Sequence, residues 1–188
     1  MEMTGEYRIP APRETVWAAL NDPEILARAV PGCEEIDKLS ETEMTATVSA
    51  KVGPVKARFK GAVTLSDIDA PNGYTLNGEG KGGVAGFAKG TARVTLAEDG
   101  DGTLLTYEVD AKVGGKLAQV GSRLIDSTAK KLAGEFFGTF SAIVGGDPLE
   151  QDTPAAPEAT SEQGLMQKPA TWVAIVVVIA AIAYSLLA

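Results

Sequence analysis

The 188-residue chain contains no histidine. That removes a His-containing catalytic triad, a histidine general base and any His-ligated metal centre. Its one cysteine, Cys33, leaves no partner for an intramolecular disulfide and no cysteine-rich zinc or iron–sulfur site. A lone thiol accords with a reducing compartment. Positive charge is also in deficit: 17 Lys and Arg face 25 Asp and Glu, a net charge of −8. An acidic chain without a dense basic stripe in its sequence argues against nucleic-acid binding. A catalyst would have to be built from Asp, Glu, Lys or Tyr alone, and no catalytic residue and no enzyme is expected. The start Met1-Glu2-Met3-Thr4-Gly5-Glu6 lacks the basic n-region and apolar run of a signal peptide.

What is present divides the chain into three parts. With 45% hydrophobic and 22% charged residues, it has the composition of a globular protein with one core. Residues 169–188 are almost wholly apolar (WVAIVVVIAAIAYSLLA follows Thr171), and at about 1.5 Å per residue they span about 30 Å as a helix, the thickness of a bilayer's hydrocarbon. A single-pass C-terminal tail anchor is expected there, with Trp172 at one interface and Ile175, Ile179 and Ile182 in the hydrocarbon. Lys168 provides a weak positive-inside signal, placing the folded part on the cytoplasmic face of the cell membrane. Residues 147–168 carry Asp147, Glu150, Asp152, Glu158 and Glu162 against Lys168, with three prolines among few apolar side chains. That is the composition of a disordered acidic linker. The expected organisation is a domain over 1–146, a leash over 147–168 and an anchor over 169–188.

Within the domain, Tyr7-Arg8-Ile9 reads as a short strand stopped by Pro10. Pro12 opens a helix with Val16, Trp17 and Leu20 on one face, and Asp22-Pro23 opens a second running through Ala29. Met44, Ala46, Val48, Ala50 and Val52 alternate with polar residues, and so do Val55 to Leu65 after the Gly53-Pro54 turn. Further strands are expected over 74–81, 88–96 and 103–113. From Leu117 to Ile143 the apolar period becomes that of a helix. An antiparallel meander followed by one long amphipathic helix gives an α+β fold, a curved sheet gripping its C-terminal helix.

The inward positions of these strands are unusually small: Ala46, Ala50, Ala57, Gly61, Gly78, Gly80, Ala88, Gly90, Ala92 and Ala111. Interiors pack densely, so such a wall means either a close-lying helix or a cavity. Large side chains gather toward the helix's C-terminal half. An apolar cavity is therefore expected beneath its N-terminal half, lined by Leu117, Val120 and Leu124 and closed by Phe59, Val63, Ala92 and Tyr107. The glycine-rich stretch 78–90 lacks the Lys-Ser/Thr of a phosphate loop, since Gly82 follows Lys81. It reads as a hairpin tip with exposed Val84 and Phe87, which could gate a pocket, dip into a membrane or meet a partner. Lys56, Arg58 and Lys60 share one strand face, a solvated surface or a contact for headgroups or an acidic partner. Cys33 has no adjacent activator and reads as a buried structural thiol. Glu108 and Asp110 are expected to point outward, and no metal site is seen.

Pro12–Leu20 (PRETVWAAL), Asp22-Pro23-Glu24, Val30–Cys33 (VPGC), Val52–Lys60 (VGPVKARFK), Gly86–Gly90 (GFAKG), Gly114–Gly121 (GGKLAQVG) and Phe136-Phe137 together resemble the G-subunit family of carbon-monoxide dehydrogenase, within the START/polyketide-cyclase-like SRPBCC superfamily. The resemblance covers almost all of the folded part, and the acidic leash and apolar tail are similar to members that carry a membrane anchor. It implies a helix-grip domain with an accessory, non-enzymatic role beside a molybdenum carbon-monoxide dehydrogenase or a related molybdenum hydroxylase. It further implies an apolar ligand between sheet and helix, membrane lipid or quinone. Menaquinone, carried noncovalently to the dehydrogenase, is the expected cargo. A recruitment adaptor that only tethers the enzyme, or a lipid-acting cyclase- or hydrolase-like enzyme, stands as the alternative.

Overall fold

The computed structural model describes residues 1–146; the expected leash and anchor, including Trp172, Ile175, Ile179 and Ile182, lie outside the described residues. Seven strands form one antiparallel sheet: β1 (Glu2–Ile9), β2 (Cys33–Lys38), β3 (Glu43–Val52), β4 (Val55–Asp69), β5 (Gly73–Lys81), β6 (Phe87–Asp99) and β7 (Gly102–Gly114). Their order is β1-β7-β6-β5-β4-β3-β2. After β1 come α1 (Arg13–Leu20) and α2 (Pro23–Ala29), and the described chain closes with α3 (Ser122–Gly145). The fold is α+β, a helix-grip domain with its long helix across the sheet's concave face. Among the described residues no helix is long and apolar enough to cross a membrane.

Local chemistry accounts for most boundaries. Pro10 and Pro12 end β1 and open α1. Asp22 caps α2, its side chain accepting from the backbone N–H of Glu24 at 2.8 Å and of Ile25 at 3.4 Å. Gly53, at φ +57°, makes the tight β3–β4 turn that an L side chain would resist.

Three elements differ from the expectation. The first strand begins at Glu2, not Tyr7, because β7 supplies a pairing partner from Asp110 to Thr103 that local pattern does not reveal. β2 was not expected at all. Its Cys-Glu-Glu-Ile-Asp-Lys stretch is an edge strand with little buried surface, so it shows no clean alternation. The last helix begins at Ser122, and ahead of it Val120 lies on a 3₁₀ turn (Ala118–Val120) that Leu117 immediately precedes. Gly121, at φ +94°, breaks the helical path between them.

Two clusters make up the core, one toward each end of the strands. At the end of the β3–β4 and β5–β6 hairpins, here the tip end, Val48, Val52, Phe59, Ala88, Leu117, Ile125 and Leu132 pack together. At the other end Ile9, Val16, Leu20, Leu96, Leu105, Ala129 and Phe140 do so. Thr103, wholly buried, donates its hydroxyl to the Ala11 carbonyl at 2.7 Å, tying β7 to the approach of α1. Arg13 reaches from α1 to Asn72 Oδ1 at 2.9 Å and to Glu98 at 3.0 Å, joining two loops of that end.

Candidate functional site: an apolar cavity under the long helix

In the inner sheet face, cross-strand register aligns Leu65, Leu76, Ala92 and Val109 in one row and Tyr74, Val94 and Tyr107 in the next. Facing them from α3 are Ala133, Phe136 and Phe137. Leu20, Leu26 and Val30 close one side from α1, α2 and the turn after it, and Ile36, Met44, Ala46 and Val63 another. Together they enclose a cavity of about 150 Å³. A cavity of that size holds a single benzene-sized ring. Ile36, Val63, Leu76, Val94, Phe136 and Phe137 keep partial solvent exposure although they face inward, so the cavity opens to the surface.

Aromatic rings concentrate here. Tyr7 stacks on Phe137 with ring centroids 4.2 Å apart, Tyr107 lies 5.7 Å from Phe137, and Phe136 bridges Phe137 at 4.9 Å and Phe140 at 5.6 Å. Trp17 meets Tyr74 edge-on at 5.5 Å. Among the described residues only Phe59 and Phe87 lie outside this assembly. Four of these rings, Tyr74, Tyr107, Phe136 and Phe137, line the cavity among a larger number of aliphatic side chains.

No charged side chain lines the cavity, and its side-chain oxygens belong to Thr45, Tyr74 and Tyr107. Burial pushes the Tyr74 phenol well above its ordinary range. Burial first, then the neighbouring Tyr7 hydroxyl, raises Tyr107. Both stay neutral hydroxyls at neutral pH, so the lining holds neither a general base nor a nucleophile. Among the described residues no group of acids and thiols is placed to hold a metal ion. Glu108 and Asp110 point outward. Cys33 is half-buried, and that burial raises its thiol pKa, so it remains protonated.

Of the nine residues expected to line the ligand space, the structure brings Val63, Ala92 and Tyr107 to the cavity. Phe59, Val84, Phe87, Leu117, Val120 and Leu124 do not line it. The cavity sits beneath the C-terminal half of α3, not the N-terminal half. The reason is Phe59: only 2% exposed, its ring lies against Gly82, whose missing Cβ leaves the room it needs. With Leu117, Ile125 and Leu132 it fills the space the small residues had left. Leu124 is 42% exposed and Val84 85% exposed. Lys56, Arg58 and Lys60 do share the outer sheet face, Arg58 ion-paired with Glu34. The lining residues the sequence did not reveal come chiefly from α1, α2 and β2. Leu20, Leu26, Val30 and Ile36 were visible as apolar positions, but nothing local placed them against α3.

The two ends also differ in charge. The loops flanking the cavity end hold Glu41 and Glu43, Asp67 and Asp69, and Glu98, Asp99 and Asp101, with no Lys or Arg between 39–43, 67–73 or 98–102. The loops of the tip end, 51–56, 81–87 and 112–123, hold Lys51, Lys56, Lys81, Lys112, Lys116 and Arg123 and no acid.

Residues 5–145 match the family model for the carbon monoxide dehydrogenase G subunit (CoxG). The chain belongs to the CoxG family. No curated protein matches it. Among solved structures, a conserved protein from Geobacillus kaustophilus is 30% identical, the match covering 77% of this chain and 95% of that one with a TM-score of 0.72. An aromatase/cyclase, ZhuI, from Streptomyces sp. R1128 shares 10% identity, 77% coverage of this chain and 93% of its own, at a TM-score of 0.56. Ara h 8.0201 shares 15%, covering 78% and 99%, also at 0.56. The last two show a common fold and no more. CoxG membership makes this chain an accessory protein of carbon monoxide dehydrogenase by family.

Proposed function

We propose that this CoxG protein is a non-enzymatic quinone carrier, held at the cytoplasmic face of the cell membrane by residues 169–188. It takes menaquinone from the bilayer into its apolar cavity and presents it to a molybdenum carbon-monoxide dehydrogenase or related hydroxylase, so that electrons reach the respiratory chain. The observation that carries the reading is the cavity itself, an uncharged space opening to the surface, walled by aliphatic side chains together with the rings of Tyr74, Tyr107, Phe136 and Phe137. A guest of this kind is planar, apolar and needs no ion pair. At about 150 Å³ the space takes one ring of a fused quinone; Phe136 and Phe137, both partly exposed, are the side chains that must shift to admit the second, and the isoprenoid tail leaves through the mouth.

The small volume equally favours a second reading, a tether that recruits the enzyme and carries nothing. Mass spectrometry of organic extracts from residues 1–146, purified without detergent, separates the two. A near-stoichiometric quinone, or uptake of added menaquinone that Ala92→Phe abolishes, supports the carrier. An empty domain that takes up none leaves the tether, for which deleting residues 169–188 alone stops electron delivery.

A further inference from the structure

The tip end of the sheet has a surface that the cavity does not explain. On the outer face, register sets Lys51 opposite Lys56, Lys60 opposite Lys81 and Lys89 opposite Lys112. Like charges directly opposed in an antiparallel pair destabilise it, yet three such pairs occur at one end of a protein whose net charge is −8. Two acids share rows with these lysines: Glu79, opposite Lys89, and Glu35, which register places in the row of Lys60 through Thr47. Beside these lysines apolar groups stand in water. Phe87 occupies the same cross-strand row as Lys60 and Lys81 and is 40% exposed, and Val84, on the 3₁₀ turn between β5 and β6, is 85% exposed.

We propose that this end is a docking surface for an anionic lipid bilayer, the lysines meeting headgroup phosphates while Val84 and Phe87 enter the boundary beneath them. Apolar groups ringed by cations are what an anionic interface binds, through buried apolar area together with charge attraction. The opposed cations are all lysine. Protein interfaces favour arginine and are depleted in lysine, and the arginine of this ridge, Arg58, is engaged by Glu34. Val84 stands almost fully in water on its turn, a position suited to insertion and not to receiving a partner's side chain. This contact is separate from any anchor in residues 169–188 and from the cavity's guest.

The test uses residues 1–146, the whole of the described fold, once a cooperative melting transition has shown it folded; the match spans 95% of the Geobacillus kaustophilus chain. The domain is sedimented with vesicles of phosphatidylcholine, with and without phosphatidylglycerol. Binding is expected only with phosphatidylglycerol, and it is expected to vanish at high salt. Lys60→Gln with Lys89→Gln should weaken it more than tenfold, at about fivefold per lysine. Val84→Asp, on a fully solvated turn, should abolish it without changing the melting temperature. The proposal is overturned if the domain ignores anionic vesicles at low salt, as it would were an acidic protein the occupant. Equal binding to neutral vesicles, or unchanged binding by the lysine or Val84 variants, overturns it too. A domain that takes up no menaquinone yet still binds vesicles leaves the proposal standing while the carrier reading falls.

Discussion

The two ends of this sheet share strands, alternation and helix, yet one is filled and the other hollow. At the tip end the inner face is lined by Ala50, Ala57 and Ala88, and Phe59, Leu117 and Ile125 occupy the room above them. At the opposite end the strands carry larger residues, among them Leu65, Tyr74, Leu76 and Tyr107, and still a cavity remains. The difference lies in what sits between sheet and helix. α2 packs against both α3 and β2, acting as a spacer at the edge of the cavity end; the tip end has no such spacer and closes. A wall of small residues thus marks close packing here, and the hollow is made by a helix wedged at its side.

The sharpest way to break this comparison is to insert the same bulk at both ends. Ala50, 3% exposed in the filled cluster, should not tolerate phenylalanine: Ala50→Phe should cost about 1–3 kcal/mol or more in denaturant unfolding, the penalty of overpacking. Ala92→Phe places its ring in the cavity and should cost under about 1 kcal/mol, while blocking uptake of an apolar ligand. Equal losses at both positions would mean that the cavity is closed in solution. A smaller effect of opposite sign is expected on the outer face. Lys60→Gln removes the like charge opposite Lys81 and should raise stability by about 0.2–1 kcal/mol, although it weakens binding to anionic vesicles. A variant that loses stability would show the lysine pair to be held by structure and not kept for binding.

The smallest effect concerns the acid on the basic ridge. Ser49 Oγ donates to Glu34 Oε1 at 2.6 Å, and with Arg58 beside it this holds the carboxyl below its ordinary value of 4.5. A lowered folded-state pKa contributes stability that is complete above the ordinary value and disappears as pH falls through the lowered one. Carbon-detected NMR titration should therefore find Glu34 titrating below the ordinary value of 4.5, and Ser49→Ala should move it upward. A Glu34 that titrates at the ordinary value would mean the Ser49 contact does not persist in water.

Much of this was legible in the sequence. The strict alternation from Met44 to Leu65, the Gly53-Pro54 turn and the amphipathic period through Phe140 are local signals, each set by neighbours a few residues away. They suffice for the sheet, the long helix and the α+β class, and the quoted motifs suffice for the family. The candidate site was legible only in part. Val63, Ala92 and Tyr107 were identified because inward alternation makes any such residue a candidate. Leu26, Val30 and Ile36 were not, because α2 and β2 reach the cavity through contacts with α3 and β3 that no local pattern encodes. Phe59 was placed at the cavity's rim for the same reason: its rotamer over Gly82 depends on a glycine more than twenty positions away in the chain.

Composition alone determined what the chemistry of this protein excludes. A chain without histidine and with one cysteine holds no His-containing triad, intramolecular disulfide or His-ligated metal in any fold. Periodicity alone determined which faces are buried, since a strand's period of two and a helix's of 3.6 are properties of the backbone. Only the tertiary structure decided where the cavity lies and where the charge gathers. Lys51, Lys56, Lys60, Lys81, Lys89 and Lys112 form no run in the sequence; antiparallel register brings them to one end, and the same register brings the acidic loops to the other. Packing and register join residues by distance in space, and that is information a linear pattern does not carry.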